Sequence, residues 1–101
     1  MGSISLAFTV ENAKSIIASG AAESGPYSHA EIANWCERFW NRYADIDTPA
    51  EIERIMPILA DVESQWDMFV ASEVAKNPRQ PPSSIRAPAE WFAKWSGSID
   101  A

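Results

Sequence analysis

A chain of 101 residues, 47% hydrophobic and 11% aromatic, can bury a core of its own but has little room for a second domain. Its formal charge of −6 excludes nonspecific adhesion to nucleic acid or to an anionic membrane surface, both of which require a basic face. One cysteine and one histidine restrict metal sites and nucleophilic catalysis, which are built mostly from those two residue types.

The charge is unevenly spread. Ala30 to Glu73 holds ten acidic residues against Arg38, Arg42 and Arg54, a net −7, whereas Val74 to Ala101 carries a net +2. Opposite signs favour a tail folded back over an acidic body. Cys36 has no partner for an intramolecular disulfide, so a cytoplasmic location is expected. The apolar run Ile4 to Val10 has no basic residue ahead of it, which disfavours a secretory signal. No apolar stretch reaches the roughly 20 residues of a membrane span.

The first predicted element is a short helix over 10–19. Thr9 caps it, Val10, Ala13, Ile16 and Ile17 face inward, and Gly20 closes it. Gly25-Pro26 marks the next loop. Ser28 and Glu31 then form a capping box opening a helix over 28–43. At 100° per residue, Ile32, Cys36, Phe39, Trp40 and Tyr43 make its core face, Trp35 lies at the edge, and Arg38, Asn41 and Arg42 point to water.

Asp45-Ile46-Asp47 turns the chain. Thr48-Pro49-Ala50-Glu51 repeats the start signal, with threonine as cap and proline at the first helical position, for a long helix over 49–76. Its stripe is Ile52, Ile55, Met56, Leu59, Val62, Trp66, Phe69, Val70 and Val74. Pro57 lies on the water side, about 160° from Leu59, so a bend is expected there rather than a break. Residues 77–87 hold three prolines and no periodicity, which predicts an extended crossing segment. Pro78-Arg79-Gln80-Pro81-Pro82 reads as a stiff spacer more than as a PxxP ligand. A last helix over 88–96 is expected to stop at Gly97, with Trp91, Phe92 and Trp95 on one face. The fold expected is all-α, an antiparallel helix pair with a shorter helix at each end packed across it.

Little catalytic equipment is visible. His29 and Cys36 share one side of a helix but stand seven residues apart, about 10.5 Å along the axis. A base must lie within about 3 Å of the proton it takes. Asp45 and Asp47 resemble the opening of a calcium loop, yet Ala50 stands where glycine is needed and Met56 where the bidentate glutamate belongs. No metal or other cofactor is expected, and no glycine-rich phosphate loop is present.

Two features remain. Glu63 projects into the apolar arc of the long helix, as does Glu73, and Asp67 sits at the arc's edge one turn from Glu63. Glu63 and Asp67 are therefore expected to make a polar notch, with a structural pairing favoured over catalysis. Trp91, Phe92 and Trp95 crowd a helix too short to be stable alone, so it docks either on its own bundle or on another chain.

The leading functional expectation is a noncatalytic protein-interaction or regulatory module, with self-association open. The second is an acidic inhibitor or immunity-type protein occupying a basic cleft. The third, and weakest, is a ligand-binding protein or enzyme using Glu63 and Asp67.

Overall fold

The computed structural model describes residues 4–22, 25–81 and 84–100, and among these the regular secondary structure is helical. There are four α-helices: α1 (Val10–Ser19), α2 (His29–Tyr43), α3 (Ala50–Lys76) and α4 (Ala89–Asp100). The capping chemistry read from the sequence is in place at the first two. Thr9 Oγ1 accepts from the Asn12 amide at 3.1 Å. At α2 the box is reciprocal: Ser28 Oγ accepts from the Glu31 amide and Glu31 Oε1 accepts from the Ser28 amide. Each such bond satisfies a helix-terminal donor that would otherwise need water.

At α3 the expected cap is not made. Thr48 turns its hydroxyl back toward the carbonyls of Ile46, at 2.9 Å, and Tyr43, at 3.2 Å, tightening the α2–α3 turn. The helix therefore starts at Ala50 with no side-chain cap. It then runs unbroken through Pro57, whose ring is exposed. The hydrogen bond the ring removes lies on the solvent-facing side of the helix.

The helices associate as two pairs, α2 along α3 and α1 along α4, with fewer contacts between the pairs. Ile32, Cys36 and Phe39 of α2 share a core with Ile55, Leu59, Val62 and Trp66 of α3. Ala13, Ile16 and Ile17 of α1 join Phe92, Trp95 and Ile99 of α4 in the same core.

Four readings of the sequence are corrected by packing. Trp35, placed at the edge of its face, has no exposed surface, because the N-terminal segment crosses it. Phe8 packs 5.5 Å from the indole, and Trp35 Nε1 donates to the Leu6 carbonyl at 3.1 Å. Arg38, expected in water, donates to the Ile4 carbonyl at 2.7 Å and lies over the Phe8 ring. The buried arc of α2 is thus shifted toward Trp35, while Trp40 and Tyr43 are only partly covered.

The third correction is at the C-terminus. Gly97 does not stop α4, which continues to Asp100 and buries Ile99. Gly97 does not adopt the positive φ by which a glycine commonly turns the chain out of a helix. Nor is 77–87 uniformly extended. It makes a tight turn at Asn77–Gln80, the Ser84 amide donates to the Pro81 carbonyl at 3.0 Å, and Ile85 and Ala87 then insert into the core. Pro82 and Ser83 lie outside the described residues.

Candidate functional site

The α2–α3 interface opens at one edge into a cleft of about 170 Å³. Ala30 and Ala33 are short, so α2 leaves space beside Trp66, and the rim is formed by Asn34, Glu37, Glu63 and Asp67. Glu63 and Asp67, one turn apart on α3, are brought to the same cleft, and α2 adds Glu37 opposite them. The Glu63 carboxyl is held above the ordinary carboxylate range, first by partial burial and then by Glu37 and Asp67, both of its own sign. Glu73 is not part of this group; it meets Lys76 at 3.4 Å, one turn along the helix surface.

Glu37 escaped the sequence reading. The signal was the spacing Ala30, Ala33, Glu37, a strip along one flank of α2 that faces the Glu63–Asp67 strip of α3. Three carboxylates around a small cleft form an electronegative pocket whose chemical capacity is to attract cationic groups. Among the described residues no group of three or more histidine, cysteine or acidic side chains has the geometry to hold a metal ion.

A second, larger cleft of about 350 Å³ lies between α3 and α4, lined by Asp61, Gln65, Trp91, Lys94 and Trp95. Here Trp95 Nε1 donates to Asp61 Oδ2 at 2.7 Å, which docks α4 on α3. The face that carries Trp91, Phe92 and Trp95 is divided by this docking. Phe92 is 1% exposed and Trp95 6%, both against their own bundle, whereas Trp91 stays half-buried, edge-on to Phe69 and Trp95.

The remaining reactive residues are committed to the interior. Cys36 has no exposed surface, and burial pushes its thiol up to about 12. His29, the first residue of α2, is 1% exposed and uses both ring nitrogens. Nδ1 accepts from the Ala87 amide and Nε2 faces the Gly20 carbonyl, each at 2.9 Å. A backbone N–H can only donate, so Nδ1 is unprotonated and Nε2 carries the proton. Asp45 and Asp47 lie exposed in the α2–α3 turn. Among the described residues no helix is long and apolar enough to cross a membrane.

Comparison with known proteins gives no matching family model, no similar curated protein and no similar solved structure.

Proposed function

We propose that this chain is a noncatalytic interaction module that presents the α2–α3 carboxylate cleft to a basic protein partner, in the manner of an acidic inhibitor or adaptor. The observation that carries this reading is the cleft itself: Glu37, Glu63 and Asp67 converge there, and partial burial first, then repulsion by Glu37 and Asp67, disfavours the ionised form of Glu63. A lysine or arginine placed among them relieves that repulsion, so the free protein is electrostatically primed for a cation. The negative charge of the body also steers a basic partner toward this face before contact. A noncatalytic role is favoured because Cys36 and His29, the residues from which nucleophilic chemistry would be built, are both enclosed. The large aromatics of α4 are mostly spent on the core, which shifts the interaction reading from the C-terminal helix to the acidic face.

The test is a titration with a defined arginine- and lysine-rich peptide, followed by amide chemical shifts. Shifts are expected to concentrate on residues 30–37 and 63–67. The Glu37→Gln/Glu63→Gln/Asp67→Asn variant should bind about threefold to 150-fold more weakly, from three exposed pairs worth about 0.2–1 kcal/mol each. Affinity should fall steeply with added salt. Shifts scattered over the whole surface, or a triple variant that binds as well as wild type, would overturn the reading.

A further inference from the structure

His29 occupies the junction of the two helix pairs. It belongs to the first turn of α2, yet its ring nitrogens reach Gly20, at the end of α1, and Ala87, two residues before α4 begins, each at 2.9 Å. Its ring lies 4.0 Å from that of Phe92 on α4 and 6.2 Å from Trp66 on α3. One imidazole thus touches all three other helices or their ends. Elsewhere α1 and α4 hold mainly to each other, as do α2 and α3.

The hydrogen-bond roles are fixed by the backbone. Ala87 offers a donor, so Nδ1 must be a lone pair, and a proton placed there would set two donors against each other. The charged side chain acting on His29 is Arg86, from the segment that carries Ala87, and its sign also opposes a second proton. Gly20, Trp66 and Phe92, which α1, α3 and α4 place against the ring, bring no negative charge to stabilise an imidazolium. Burial holds His29 below its ordinary value of 6.5, the Gly20 bond opposes it in part, and Arg86 adds a lesser push in the same direction as burial.

We propose that His29 is a proton-operated latch that holds the α1–α4 pair against the α2–α3 pair. Protonation of Nδ1 releases the Ala87 amide, and the α1–α4 pair swings away with Ile85 and Ala87, uncovering the Phe92 face. Because the closed form resists the proton, closure is fully favoured above pH 6.5 and is lost as pH falls below it. Between pH 7.5 and 5.0 the opening equilibrium should rise by up to about thirtyfold, the limit in which the closed form takes up no proton at all.

Amide hydrogen exchange on the full chain, corrected for intrinsic rates, reads this directly. The amides of Ala87, α1 and α4 should lose up to about thirtyfold protection over that range. They should also exchange through an opening with a shallower denaturant dependence than the amides around Leu59 on α3, since a partial opening exposes less surface. In His29→Gln the pH dependence should vanish. The proposal is overturned if α4 and α3 amides share one denaturant isotherm at both pH values, or if His29→Gln keeps the pH dependence. Should that variant fail to fold, the imidazole resonances of the wild-type protein decide: titration of folded His29 below 6.5 supports the latch, and titration at or above it sinks the idea.

Discussion

Replacing Gly20 with alanine pits two physical effects of opposite sign against each other. Gly20 follows α1 with φ −69° and ψ −19°, an ordinary right-handed conformation. An alanine there incurs no backbone strain, and the loss of unfolded-state freedom alone would stabilise the protein by about 0.4–1 kcal/mol. The new Cβ, however, would fall 2.7 Å from Cγ and 2.9 Å from Cε1 of Phe92, with Cδ1 closer still. Carbon atoms prefer about 3.5–4.0 Å, so the ring must retreat by roughly 1 Å. It has nowhere to go, because Phe92 is 1% exposed and packed 4.0 Å from the His29 ring and 5.1 Å from Trp95. Overpacking of this kind costs about 1–3 kcal/mol. The net expectation is a loss of about 1–2 kcal/mol, or a fall in Tm of roughly 4–16 °C for a domain of this size. Thermal and urea denaturation measure it, with Gly97→Ala as the control. Gly97 lies inside α4 with open space around it, and alanine there should stabilise by about 0.5–1 kcal/mol. In the Gly20→Ala background, Phe92→Leu should cost less than it does alone. A Gly20→Ala protein at least as stable as wild type would show that α4 does not press on the end of α1, and the steric reasoning would fail.

Other substitutions probe the remaining contacts. Ile85→Ala should destabilise by about 2–5 kcal/mol in urea unfolding, since Ile85 is 1% exposed; a loss below 1 kcal/mol would mean that the segment merely rests on the surface. Cys36, enclosed and with its thiol pushed up to about 12, should not react with a thiol reagent at pH 8 until the protein is unfolded, and a fast native reaction would contradict the packing. Glu63→Gln should raise Tm at pH 7. A carboxyl whose folded pKa is raised takes up its proton more readily in the folded state, so its stabilising effect is present at low pH and lost as pH rises. The gain from glutamine should therefore shrink as pH falls below the ordinary 4.5, and an unchanged gain at pH 3 would count against a Glu63 carboxyl held up by burial and by Glu37 and Asp67.

The helices were legible because their signals are local. A hydroxyl meets an amide three residues on, and an apolar stripe repeats within a turn or two, so Thr9, Ser28–Glu31 and the Leu59 stripe announce α1, α2 and α3 without reference to the rest of the chain. The same locality let the Glu63–Asp67 strip be read, but not the Glu37 that faces it, because that neighbour depends on how α2 lies along α3. Thr48 and Gly97 carried the right residue types for a cap and a stop, and both were overridden: Thr48 finds carbonyls in its own turn, and Gly97 sits where the burial of Ile99 extends the helix. Trp35 and Arg38 changed surroundings when the N-terminal segment was laid across them.

The single histidine shows the division most clearly. Its sequence position said only that it opens α2. Its burial, its two backbone partners and its place between the helix pairs come from Gly20 and Ala87, which are 9 and 58 residues away. Composition and periodicity determined that this chain is an acidic bundle of helices, since caps and stripes act within a few residues. Only the tertiary structure decided that the C-terminal helix rests on its own bundle and that His29 joins the pairs, because those contacts are made between segments with no local sequence relation.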